Sequence, residues 1–149
     1  LRELSLNLEG MGSLDGLEYL TQLQELQLSA SFAEGTAPDL SPLSGLTQLH
    51  TLFLSLPYDT PVSLVPLESL TQLQSLDFTG TIRNNDLSPL GNLTSLQSLQ
   101  IRGDNRRRSP FTDLSPLANL KNLSNLQIYP TAENIDLSPI AHVPNVSIS

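Results

Sequence analysis

Residues 113–128 read DLSPLANLKNLSNLQI, residues 86–101 read DLSPLGNLTSLQSLQI, and residues 39–54 read DLSPLSGLTQLHTLFL. Two further copies, SLDGLEYLTQLQELQL at 13–28 and SLVPLESLTQLQSLDF at 63–78, complete a 16-residue module. LRELSL at 1–6 is the tail of an earlier copy, and DLSPIAHVPNVSIS at 136–149 is a shortened last one. The five complete modules begin at 13, 39, 63, 86 and 113, so their starts lie 26, 24, 23 and 27 residues apart. The module is constant in length and the connectors run from 7 to 11 residues. Self-similarity at such a period marks a stack of equivalent coils.

Each module ends on the order L-x-x-L-x-L: Leu23/Leu26/Leu28, Leu49/Leu52/Leu54, Leu73/Leu76/Phe78, Leu96/Leu99/Ile101 and Leu123/Leu126/Ile128. The last two positions of each set alternate as a short strand does. Leu40, Leu43 and Leu46, with their equivalents, line the opposite wall. One coil cannot bury these side chains alone, but stacked coils can. Thirty-three of the 149 residues are Leu and nearly all fall on these columns, so they are assigned to the core and given no functional role. Ser41-Pro42, Ser88-Pro89, Ser115-Pro116 and Ser138-Pro139 predict short turns with Ser as N-cap and Pro at the first helical position. Asp15 and Glu18 are expected to form a capping box, and Val65-Pro66, which lacks the Ser, a looser turn. Asp39, Asp86, Asp113 and Asp136 are read as turn formers that bond nearby backbone N–H groups, rather than as a carboxylate ladder for cations. In the last copy, Val143, Val146 and Ile148 fit the strand pattern if three residues are missing from the turn. The other reading puts Val146 in an earlier Leu column and leaves no strand; the first is preferred.

The D-L-S-P-L-x-x-L-x-x-L-x-x-L-x-L wording resembles leucine-rich repeat proteins, most closely bacterial ones. It is similar to the repeats of internalins, and to those carried C-terminally by bacterial STAND (NACHT-type) ATPases of immunity. The resemblance implies an α/β leucine-rich repeat solenoid, with a parallel concave β-sheet and short convex helices or 3-10 turns. Residues 1–149 then form a single repeat domain, five complete modules with partial ends, expected to belong to a longer chain. The usual repeat places Asn three residues after the last strand Leu. Here those places hold Glu9, Ser31, Pro57, Thr81, Asp104 and Thr131, which predicts a less regular inner turn.

The formal net charge of −8 argues against general binding of nucleic acid or anionic membrane. No apolar run approaches the roughly 18 residues that span a bilayer, so no membrane insertion is expected. There is no cysteine, which excludes disulfides and thiolate metal sites. That fits a reducing compartment and favours a cytoplasmic reading, with secretion or cell-surface display left open. His50 and His142 are the only histidines and fall in distant coils. No P-loop, no G-x-S-x-G and no nucleophile–base pair is present, so neither a cofactor nor an enzymatic activity is expected.

Side chains flanking the buried strand positions point outward from the concave sheet. Among them, Phe53, Asp77, Gln100, Arg102, Gln127 and Tyr129 are nominated as the centre of a surface for a protein partner, since exposed aromatics and Arg anchor interfaces. The second candidate is RGDNRRRSPF at 102–111, whose Arg106, Arg107 and Arg108 join Arg102 in a basic patch that could read an acidic group. The alternatives are a concave face that contacts nothing and a solvated loop. Arg102-Gly103-Asp104 also spells the tripeptide bound by integrins, and a match of three residues recurs by chance. Phe32, Tyr58 and Phe111 are expected to pin connectors onto the stack. Ends without polar caps would expose core Leu and allow self-association. The resemblance implies the sensor segment of a STAND-type ATPase, with an internalin-like adhesin and a ligand-free structural spacer as alternatives.

Overall fold

The structure, a computed structural model, describes every residue except Gly12, Glu34, Gly35 and Arg108; the side chains of Met11 and Arg107 also lie outside the description. Seven strands form one parallel sheet in chain order: β1 (Glu3–Met11), β2 (Glu25–Phe32), β3 (Thr51–Ser55), β4 (Ser75–Thr79), β5 (Ser98–Arg102), β6 (Asn125–Tyr129) and β7 (Asn145–Ile148). Opposite them stand three-residue 3-10 turns at Leu17–Tyr19, Ser41–Leu43, Val65–Leu67, Ser88–Leu90, Ser115–Leu117 and Ser138–Ile140. This is the leucine-rich repeat solenoid that the repeat wording implies. Val146 pairs with Leu126 and Ile148 with Ile128, so the last copy does form a strand.

The three-residue Leu spacing has a direct cause. Leu43 donates its N–H to the Leu40 carbonyl at 2.9 Å, Leu46 to Leu43 at 3.0 Å, and Leu49 to Leu46 at 3.0 Å. The same chain of bonds recurs from Leu87 to Leu96 and from Leu114 to Leu123. With about three residues per turn, side chains at i and i+3 eclipse. All the leucines of a coil therefore face one side, and Leu40, Leu43, Leu46, Leu49, Leu52 and Leu54 are all buried. At the strand entry each carbonyl serves the next coil twice: Gln24 O accepts from His50 and Thr51, His50 O from Gln74 and Ser75, and Gln74 O from Gln97 and Ser98. Stacking and backbone satisfaction are thus met by the same contact.

The turn chemistry differs from the capping expected. Leu40, not Ser41, is the flanking residue, with Ser first and Pro second in the turn, and no Ser side chain caps it. The Asp two residues earlier does the work. Asp39, Asp86, Asp113 and Asp136 accept the N–H of Ser41, Ser88, Ser115 and Ser138 at 2.8–2.9 Å. The following Pro has no N–H to satisfy. In the first module, Ser13 Oγ accepts from the Asp15 N–H at 3.3 Å, and Glu18 accepts from Gly16 rather than from Asp15, at 2.7 Å. Gly16 has φ 101, a conformation an L side chain resists. The 65–67 turn is not looser than the others. Its Leu64 and Glu68 dihedrals match theirs, with Ser63 Oγ replacing the Asp at 3.3 Å.

The inner connectors are irregular, as their lack of Asn predicts. β1 shifts register between Leu8 and Met11. Two connectors carry extra 3-10 turns, at Arg83–Asn85 and Asn105–Arg107. Thr81 Oγ1 donates to the Tyr58 carbonyl at 2.6 Å, a Thr-for-Asn replacement that bridges coils. Phe111 is buried and Phe32 packs partly against the core, whereas Tyr58 is 40% exposed and pins nothing by burial.

Two outcomes test this account. Leu99→Ala, in the middle of the stack, is expected to cost about 2–5 kcal/mol in chemical denaturation, and Leu4→Ala, at the half-buried end, clearly less. Equal losses would mean that burial by neighbouring coils is not what stabilises the columns. The second concerns pH. For Asp39, Asp86 and Asp113 the Ser hydroxyl and then the Ser N–H hold the carboxyl below its ordinary value; for Asp136 the N–H is the larger cause. A depressed folded pKa gives stability that is present above the unfolded value of about 3.9 and is lost as pH falls through the folded values. The denaturation midpoint should fall from about pH 4 downward. The double variant Asp86→Asn, Asp113→Asn, which keeps the acceptors but cannot titrate, should show a shallower fall.

Candidate functional site

Parallel register sets the concave face into three rows that run across the strands. Ser5, Gln27, Phe53, Asp77, Gln100, Gln127 and Ser147 make the central row from β1 to β7. Asn7, Ser29, Ser55, Thr79, Arg102 and Tyr129 make the row nearer the strand ends. Neighbours in a row are about 4.8 Å apart, the strand spacing. The six nominated concave residues are therefore contiguous. Phe53, Asp77, Gln100 and Gln127 occupy consecutive strands β3–β6, and Arg102 and Tyr129 adjoin them on β5 and β6.

Two bonds organise this centre. The Arg102 guanidinium meets Asp77 diagonally across β4 and β5, with Nη1 3.3 Å from Oδ1. Their side chains are 33% and 25% exposed, so the pair is partly screened. Burial pushes the Asp77 carboxyl up and Arg102 pulls it down; burial wins, and the carboxyl sits above its ordinary value. One strand further on, Gln100 Nε2 donates to Gln127 Oε1, which fixes both carboxamides. Beyond them a concave hollow of about 510 Å³ is lined by Ser98, Gln100, Asn125, Gln127, Asn145 and Ser147, among others, with no charged side chain. Asn145 and Ser147 were not nominated from sequence. The Val143-x-x-Val146-x-Ile148 spacing holds the signal, since it puts them on the outward side of β7. Toward β1 the face turns acidic, with Glu3 opposite Glu25.

The Arg-rich segment divides. Arg102 ends β5 and is taken up by Asp77, so it belongs to the concave face and not to the connector patch. Arg106 is exposed, and its N–H bonds Asp104 Oδ1 at 2.8 Å. Arg107 closes the Asn105–Arg107 turn, while its side chain and Arg108 lie outside the described residues. Gly103 is buried, and a Cβ there would stand 3.3 Å from both Phe111 and Pro130. With Arg102 committed to an ion pair and Gly103 buried, Arg102-Gly103-Asp104 does not form a projecting integrin-type loop.

His142 Nε2 donates to the Leu120 carbonyl at 2.8 Å and so ties two coils together. Among the described residues, no group of three or more His, Cys, Asp or Glu is placed to hold a metal ion, and no helix is long and apolar enough to cross a membrane.

Comparison of the sequence with protein-family models and with curated proteins finds no match. Comparison of the fold with solved structures does. The chain superimposes on an internalin, InlF, from Listeria monocytogenes with a TM-score of 0.73 and 32% identity, over 99% of this chain and 40% of that one. Internalin C2 of the same organism gives a TM-score of 0.50 and 25% identity, over 99% of this chain and 80% of that one. The solenoid is thus similar to those of two internalins, and it spans two-fifths of the length of the first.

The charge pair generates a prediction. Because the folded pKa of Asp77 is raised, its ionised form is disfavoured above the ordinary carboxylate value. Asp77→Asn is therefore expected to leave stability at pH 7 unchanged or higher, whereas Arg102→Ala, which strands the half-buried carboxylate, should lower it. Carboxyl NMR should show Asp77 titrating above Asp39, Asp86, Asp113 and Asp136. A lower Asp77 value would mean that the ion pair, not burial, dominates.

Proposed function

We propose that the chain is a protein-recognition scaffold whose partner docks across β3–β6 of the concave face, with the Arg-rich connector as a second contact. The observation that supports this most is the contiguity of Phe53, the Asp77–Arg102 pair, the Gln100–Gln127 pair and Tyr129 on one rigid sheet. Aromatic and Arg side chains supply anchoring area, and the ion pair and the amide pair hold four polar side chains in place before binding. A surface already ordered loses little conformational entropy when a partner arrives. Arg106, exposed at the margin, would act mainly on the rate of encounter and on its salt dependence.

Similarity to the internalins favours an internalin-like adhesin over a sensor segment of a STAND-type ATPase. Intact-mass measurement and top-down sequencing of the native protein test that choice. An upstream P-loop ATPase module would reverse it. A secretion signal with a wall or membrane anchor would support it. A free-standing protein of 16.2 kDa would remove both.

Docking itself is tested by placing a photo-crosslinker at Gln100, and at Tyr19 on the opposite face as control. The partner is expected from the first position and not from the second. Against that partner, Phe53→Ala with Tyr129→Ala should cost about 2 kcal/mol or more. Arg106→Glu should slow association and flatten its salt dependence. Affinity unchanged by the double variant would remove the concave centre from the proposal, and unchanged salt dependence would remove the connector.

A further inference from the structure

Five of the seven basic residues lie between positions 83 and 108, in and beside two consecutive connectors. Arg102 is paired with Asp77, whereas Arg83 is exposed. Arg83 borders a cleft of about 260 Å³ between its own connector and the next. Ile82 and Phe111 form the apolar back of this cleft, and Asn84, Asn85 and Asp104 join Arg83 along its polar side.

The walls are held rigidly. Asn84 and Asn85 both adopt left-handed backbone, with φ of 57° and 51°. Asn tolerates that region better than most residues, yet two in succession persist only where their surroundings hold them. Here the Asn85 side chain does so. Its Nδ2 donates toward the Ser109 carbonyl at 3.0 Å, Ser109 Oγ at 3.3 Å and the Pro110 carbonyl at 3.1 Å. One carboxamide therefore joins two connectors 24 residues apart and sets the width of the cleft. Below it, Val62 bridges to Ile82 and Phe111 to Thr131, which ties both connectors to the stack.

We propose that this cleft is a binding site for the carboxylate of an acidic residue in an extended peptide segment. Arg83 grips the carboxylate through two parallel N–H bonds, which a guanidinium supplies and an ammonium does not. The aliphatic part of the same residue lies toward Ile82 and Phe111. Asp104, whose Oδ1 receives the Arg106 N–H, also lines the cleft. One exposed guanidinium matches the single charge of a carboxylate better than a dianion such as phosphate, and the Asn side chains beside it suit peptide groups. In an acidic protein, such a local cation would fix the position of a partner's acidic side chain. The site deepens the proposed protein recognition and rests on it for its biological meaning, although its ligand chemistry stands on the cleft alone.

The test uses blocked glutamate, N-acetyl-glutamate N-methylamide, titrated into the 149-residue chain and followed by backbone amide NMR. Blocked glutamine and inorganic phosphate serve as comparison probes. Saturable shifts at 81–85 and 103–111 are expected with the glutamate, and little response to the glutamine. Arg83→Gln should weaken binding about tenfold, the scale of one charge-assisted contact, with Arg83→Lys falling between. Since Arg83 is exposed, circular dichroism should show both variants folded. No shift, equal shifts with glutamine, tighter binding of phosphate, or undiminished binding by Arg83→Gln would each overturn the proposal. So would shifts centred on 39–41 and 63–66, because Arg83 also borders a shallower hollow on that side. Loss of partner binding through Phe53→Ala with Tyr129→Ala, while the cleft still binds glutamate, separates the fate of the concave surface from that of the cleft.

Discussion

A coil of some two dozen residues cannot enclose its own leucines, and this molecule is organised around that shortfall. Each coil presents a column of Leu on one side of a 3-10 path and two alternating apolar residues at its strand, and both are covered only when another coil lies alongside. Stacking at the strand spacing also lets every strand bond its neighbour, so apolar burial and backbone satisfaction demand one and the same arrangement. Leu23, Leu52, Leu76, Leu99 and Leu126 are buried because of it, while Leu4 and Leu6 at one end are only partly covered. The five complete modules share one length because both requirements are met at the same positions in each, and the shortened last copy still brings Val146 and Ile148 into register at the end of the stack.

What remains free is the surface. Outward strand positions carry no core-packing duty and the connectors carry it only at residues such as Val62, Ile82 and Phe111, and these are where the copies differ. The concave rows pass from Glu3 and Glu25, through the compensated Asp77–Arg102 pair, to a carboxamide-lined end at Gln100, Gln127 and Asn145. The connectors differ more, because each must leave its strand and reach the next turn by its own path. Asn85 is the sharpest case. It takes a left-handed backbone and spends its amide on the following connector, and a rigid cleft results. The similarity to internalin solenoids concerns the shared backbone, and any specificity has to be sought in these outward residues.

The stack, its parallel sheet and the core columns were legible in the repeats, because burial of a periodic apolar pattern is a local requirement repeated many times. The outward rows followed from strand alternation, which is why Phe53, Asp77, Gln100, Arg102, Gln127 and Tyr129 were found in the places expected of them. Turn chemistry was legible only in part. The Asp–Ser spacing pointed to backbone bonding, but whether Asp or Ser supplied it depended on where the turn began, a matter of one residue. Only the tertiary structure decided that Arg102 belongs with Asp77 rather than with Arg106, that Gly103 is buried under Phe111 and Pro130, and that Arg83 and Asn85 border a cleft with residues some 20 positions away. Those contacts join different coils through connectors of unequal length. A repeat fixes what is the same in every coil, and contacts between unequal connectors exist only once the coils are stacked.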